Sequence, residues 1–95
     1  MPRRGIREIR ERIRTKNYEL TGHAEEEREN DELAIADLRA AILTGGVKTI
    51  LTDDPRGERY IVQGKAQDGR KIEVVCRFLD SGKLRIITVY VLEAK

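Results

Sequence analysis

The sequence predicts an α+β fold, with N-terminal helices packed on one face of a four-stranded antiparallel β-sheet meander. Two observations carry this expectation. As far as Leu43, apolar residues recur at spacings of three and four; from Val47 onward they fall in short, β-branched runs. Three turn signals then separate four such runs: Asp53-Asp54-Pro55-Arg56-Gly57, Asp68-Gly69 and Ser81-Gly82. Connections this short join antiparallel neighbours. Ninety-five residues suffice for a single domain, residues 1–95, with a small core.

The first helix is expected over Arg3 to Arg14, with Ile6, Ile9 and Ile13 as a narrow apolar stripe. Arginines fill most of its remaining surface, either as a solvated face paired with Glu8 and Glu11 or as phosphate contacts. Asn17 to Leu20 reads as a short extended link. Thr21 is placed to cap a second helix, Gly22 to Asn30, because its hydroxyl can accept from the free amides of the first turn. Asp31 to Leu33 either breaks or bends the chain before a third helix, Ala34 to Leu43, which Gly45 and Gly46 end. The four strands are expected over Val47–Thr52, Arg59–Lys65, Lys71–Leu79 and Leu84–Leu92.

The net charge of +2 hides a strong segregation. Residues 1–16 carry +5, residues 17–44 carry −6, and residues 45–95 carry +3. Only the first and last segments can attract a phosphate backbone. The single cysteine, Cys76, cannot form an internal disulfide, which suits a reducing compartment. No Cys/His cluster indicates a metal, and no apolar run approaches the ~20 residues of a membrane span. A cytoplasmic location is therefore expected. Abundant Arg and Glu beside sparse Asn, Gln, Met and Cys lean towards a thermophilic source.

Register decides which side chains share a face. A two-residue turn at Ser81-Gly82 pairs Asp80 with Lys83, setting Cys76 opposite Ile87, Val75 opposite Thr88 and Glu73 opposite Tyr90. Ile72, Val74, Cys76, Phe78, Ile87, Val89 and Val91 then form an apolar floor for the helices. The other face carries Glu73, Arg77, Thr88 and Tyr90. A two-residue turn at Asp68-Gly69 would add Tyr60 opposite Arg77.

The only histidine, His23, lies in the first turn of the second helix. Residues four apart stack on one face, so His23, Glu27 and Asp31 form a row. The row is either a solvated helix face or part of a site. His, Glu, Arg and Tyr are the groups used for metal-independent RNA cleavage. One takes the 2′-hydroxyl proton, a cation stabilises the phosphate oxygens, and another group protonates the departing oxygen. No cofactor is required. The expected catalytic residues are His23, Glu73, Arg77 and Tyr90. Arg56, Arg59, Tyr60 and Thr88 are expected to bind substrate, with Glu27 and Asp31 supporting His23. Two further readings use the same residues: a non-catalytic RNA- or protein-binding module, and a metal-assisted nuclease built on the His23 row.

Three separated stretches, Tyr18-Glu19-Leu20-Thr21-Gly22-His23-Ala24, Asp53-Asp54-Pro55-Arg56-Gly57 and Ile86-Ile87-Thr88-Val89-Tyr90, resemble the DUF4258 proteins in the same order. The resemblance extends from about Ile6 to Val91. It implies a layout similar to toxins of the RelE, BrnT and MqsR type, which are ribonucleases. It also implies two partners, RNA and a zinc-finger antitoxin protein. The family residues retained are His23, Arg56, Gly57, Thr88 and Tyr90. Many relatives carry arginines at the positions of Glu27 and Asp31, and a second histidine where this chain has Glu73.

Overall fold

The computed structural model describes residues 5–92. In chain order it contains α1 (Ile6–Arg14), β1 (Tyr18–Leu20), α2 (Gly22–Asn30), α3 (Ile35–Thr44), β2 (Gly46–Leu51), β3 (Arg59–Lys65), β4 (Lys71–Phe78) and β5 (Leu84–Val91). The expected helix start at Arg3 lies outside the described residues. Gly5 precedes α1, and its amide donates to Glu8 Oε1 at 2.9 Å. The stripe works as its spacing implies: Ile9 and Ile13 are wholly buried. Two of the arginines around it are structural. Arg10 donates to the carbonyl of Gly45 at 2.5 Å, at the end of α3. Arg12 donates to the carbonyl of Gly82 at 2.6 Å and lies over the Phe78 ring.

Thr21 caps α2 by accepting from the Ala24 amide at 3.1 Å, and its own hydroxyl donates to the Ile87 carbonyl at 2.9 Å. The chain breaks after α2 rather than bending. Glu32 takes a left-handed conformation (φ 55°), which turns Leu33 into the core. Asp37 then accepts from the Ala34 amide at 2.8 Å and so replaces the cap that alanine cannot provide. No helix among the described residues is long and apolar enough to cross a membrane.

The sheet has five strands in the order β1-β5-β4-β3-β2, not four, and it is mixed. β2 to β5 form the expected antiparallel meander. The addition is β1, which runs parallel to β5 and pairs Tyr18 with Leu84, Glu19 with Arg85 and Leu20 with Ile86. Three residues are too few to display a period, and their partners lie far along the chain, so the strand reads locally as a link. β1 covers the edge of β5, which would otherwise expose unpaired backbone. α2 continues alongside the same strand.

Both outer hairpins close through three residues rather than two. The Ala66 amide bonds the Arg70 carbonyl at 2.8 Å and the Leu79 amide bonds the Lys83 carbonyl at 2.8 Å; Gly69 and Gly82 sit at φ 92°. That geometry is a turn closed by a left-handed glycine. In the first hairpin the extra residue moves Tyr60 opposite Cys76 instead of Arg77. Tyr60 is therefore in the core, 3% exposed, edge-on to Phe78 with centroids 5.7 Å apart. In the second hairpin it places Ile86, not Ile87, opposite Cys76. Ile87 is then a bulge, after which Val75 meets Thr88 and Glu73 meets Tyr90 as expected. Two one-residue offsets cancel.

The core lies between the sheet and the helix layer. It contains Leu38, Ala41 and Ile42 of α3 and Val62, Ile72, Val74, Cys76, Ile86 and Val89 of the sheet. Cys76 is buried on the helix side as expected, and burial pushes its thiol up to about 12. α3 approaches β3 so closely that a Cβ on Gly64 would lie 2.1 Å from the Ala41 carbonyl oxygen. Only glycine fits there.

Candidate functional site

The sheet face away from the helix layer carries the polar residues, in two groups at opposite ends. β4 supplies one member of each, Glu73 and Arg77. Arg77 is four positions beyond Glu73 along the strand, about 13 Å at ~3.3 Å per residue. Between them Val75 pairs with Ile61 and Thr88.

At the first end, Glu73 is 4% exposed, and both carboxylate oxygens are engaged. Oε2 accepts from Lys48 Nζ at 2.7 Å and Oε1 accepts from the Tyr90 hydroxyl. Lys48 reaches Glu73 because it sits in a bulge of β2, between Val47 and Thr49. The Lys48 and Tyr90 hydrogen bonds hold the Glu73 carboxyl below its ordinary range. The same bond from Tyr90 to Glu73, with desolvation and the charges of Glu73 and Glu27, pushes the Tyr90 phenol up to about 12. Glu73 is thus an anion that orients two donors, with neither oxygen free to act as a base.

His23 joins this end through Glu27. Its Nε2 lies 3.2 Å from Glu27 Oε2, and its side chain is 68% exposed. Glu27 Oε1 accepts from the Thr88 hydroxyl and from the Val89 amide at 3.0 Å. Glu27 therefore ties α2 to β5 and holds the His23 imidazole beside that tie. Thr88 and Tyr90 are two apart on β5, side by side on one face. The sequence His23–Glu27–Thr88, then Tyr90–Glu73–Lys48, is one polar track.

Asp31 does not extend that track. It ends α2, and its carbonyl accepts from Arg70 at 2.7 Å. Among the described residues, no group of three or more His, Cys, Asp and Glu side chains could hold a metal ion.

Arg77 belongs to the other end, apart from Glu73, Tyr90 and His23. It is 8% exposed and donates to Asp54 Oδ2 at 3.4 Å. Arg56 donates to both Asp54 oxygens at 3.2 Å, and Arg59 Nε lies 3.7 Å from Oδ2. The Arg56 guanidinium and backbone amide, with the charge of Arg77, hold the Asp54 carboxyl down to about 2. Arg59 also donates to Asp53 at 3.2 Å. Arg85 faces Arg77 across the β4–β5 pair and bonds Glu19 at 2.8 Å.

Of the expected substrate-binding residues, Arg56 and Arg59 therefore share the arginine end. Thr88 lies on the polar track. Tyr60 is excluded from both because the hairpin offset turns it inward. Sequence reasoning missed Lys48, Asp54 and Arg85. Lys48 had one signal, a lone cation in an otherwise uncharged strand. Asp54 and Arg85 had none beyond the turn and the register.

The profile of the DUF4258 family, described as "Domain of unknown function (DUF4258)", matches residues 20–91, which include both polar groups except Glu19. No curated protein and no solved structure matches the chain.

Proposed function

We propose that this chain, which belongs to the DUF4258 family, is a small toxin-type ribonuclease that cleaves RNA without a metal and is neutralised by a protein partner. The carrying observation is the polar track: a histidine–glutamate pair beside a phenol and an ammonium that share one buried carboxylate. With Nε2 turned to Glu27, Nδ1 of His23 is the imidazole nitrogen left to accept a proton. It takes the proton of the 2′-hydroxyl, and the 2′-oxygen attacks phosphorus. The bond from phosphorus to the 5′-oxygen breaks, and that oxygen takes the Tyr90 proton, which leaves its bond to Glu73 Oε1. The products are a 2′,3′-cyclic phosphate and a 5′-hydroxyl. Solvent returns a proton to Tyr90 and removes one from His23. Lys48 balances charge on the phosphate oxygens. Glu73 and Glu27 are positioning residues.

The test is cleavage of a labelled single-stranded RNA in the presence of a chelator, with growth measured on expression without a partner. His23→Ala should lower the rate by about 10²–10⁴. Its thermal midpoint should barely move, because the imidazole is mostly exposed. Harmless wild type that cuts no RNA would sink the enzyme reading.

A second reading rests on Glu27. Its bonds to the Thr88 hydroxyl and the Val89 amide are what an edge-strand clamp needs, with or without chemistry. On that reading the face binds RNA or protein without cutting. Glu27→Gln would then lower stability, while His23→Ala would change neither stability nor any rate.

A further inference from the structure

We infer that the arginine end is a separate phosphate-binding subsite, which holds a backbone phosphate of an RNA strand near, but not at, the reacting one. The anion chemistry stands on the cleft itself; that RNA carries the phosphate rests on the function proposed above.

The cleft has a volume of about 170 Å³ and is lined by Arg56, Arg77, Phe78, Leu79, Asp80 and Arg85. Three guanidiniums and one carboxylate thus face a space large enough for a phosphate group. Donors outnumber acceptors around it. A guanidinium offers five N–H donors and no acceptor. Arg77, nearly buried, meets Asp54 at a long 3.4 Å. Arg59 Nε, just behind, is buried with no hydrogen-bond partner among the described residues. The one carboxylate of Asp54 is shared by Arg56, Arg59 and Arg77.

Buried donors ordinarily find acceptors. Arg77 also stands directly opposite Arg85, a like-charge cross-strand pair that is unfavourable by itself. Glu19 relieves it only from the β1 side. An oxyanion in the cleft would relieve that repulsion and give the Arg77 guanidinium a closer acceptor than Asp54. It brings several oxygens to planar forks that bind phosphate in a bidentate manner. A phosphate suits the space better than a second carboxylate because it carries more acceptor oxygens. A strand laid along β4 would put one phosphate here and a later one at the Glu73–Tyr90 end, about 13 Å along β4.

The experiment uses the full chain and a fluorescein-labelled, fully 2′-O-methylated oligoribonucleotide, which lacks the nucleophile and so reports binding without cleavage. Inorganic phosphate is titrated separately. Arg56→Gln and Arg85→Gln remove an exposed and a half-buried member; Arg77→Lys keeps the charge and loses the fork. Thermal midpoints check folding. Each Gln variant should bind the oligonucleotide several-fold more weakly, with the salt slope reduced by about 1. Arg77→Lys should weaken binding at an almost unchanged slope. Unchanged affinity and slope in folded Arg56→Gln and Arg85→Gln would overturn the subsite. Loss of inorganic phosphate binding with oligonucleotide binding intact would overturn the assignment to RNA. Weakened binding by the variants of a wild type that cuts no RNA would retain the subsite and reject the ribonuclease.

Discussion

The two faces of β4 lose water in different ways. On the helix side, Ile72, Val74 and Cys76 are wholly buried beneath a second layer. On the open side, Glu73, Val75 and Arg77 are 4%, 7% and 8% exposed with no helix layer above them. Their cover is their neighbours in the sheet: Lys48 and Tyr90 over Glu73, and Asp54 beside Arg77. The helix side gains stability from apolar area at roughly 25 cal/mol per Å². The open side gains little net energy, because desolvating charges offsets their attraction. What it gains is fixed geometry: each buried charge has a partner that sets where it points. One face holds the fold together, and the other holds side chains in place.

The largest expected effect breaks the first face. Ile42→Ala removes a wholly buried side chain of α3 and should cost about 2–5 kcal/mol in denaturant unfolding. An effect below 1 kcal/mol would mean that the helix layer is not what stabilises the sheet.

A smaller effect tests the second face. Glu73→Gln leaves the Lys48 ammonium without its carboxylate and should cost about 1–3 kcal/mol near neutrality. The folded-state pKa of Glu73 is lowered. Its contribution is therefore present above the ordinary carboxylate range and is lost as pH falls through the depressed value. Wild type and variant should converge in acid. A difference that persists unchanged there would show that lost packing, not the ion pair, sets the cost.

The smallest effect is spectroscopic. The Tyr90 phenol is raised to about 12 chiefly by its bond to Glu73. A raised pKa means that its stabilising contribution is full below the ordinary tyrosine value and disappears as pH rises through about 12. Ultraviolet titration should show a late phenolate step that is lost in Tyr90→Phe and shifts towards ordinary tyrosine in Glu73→Gln. A titration curve unchanged by both Tyr90→Phe and Glu73→Gln would detach Tyr90 from Glu73.

The candidate site was legible wherever it depends on local chemistry. His23 and Glu27 meet because helical residues four apart share a face, and Thr21 caps α2 because its hydroxyl lies within reach of the free amides. Glu73 faces Tyr90 as the sequence implies, yet through two offsets that happen to cancel. Tyr60 shows the same reasoning without such a cancellation. One added loop residue moved it from the polar face to the core. The bulge that sends Lys48 to Glu73 has no sequence marker beyond the residue itself.

The sequence by itself determined the three helices, the four meander strands, the inward face of Cys76 and the His23–Glu27 pair. Each rests on a period or a cap written within a few neighbouring residues. Tertiary structure alone decided that β1 joins β5, that Tyr60 turns inward, and that Arg77 stands with Asp54 and Arg85 rather than with Glu73. These outcomes depend on strand register and on pairing between distant residues. A side-chain period of two lets a single residue of loop or bulge exchange the faces. No local pattern fixes that residue, and packing against the helices and neighbouring strands selects it.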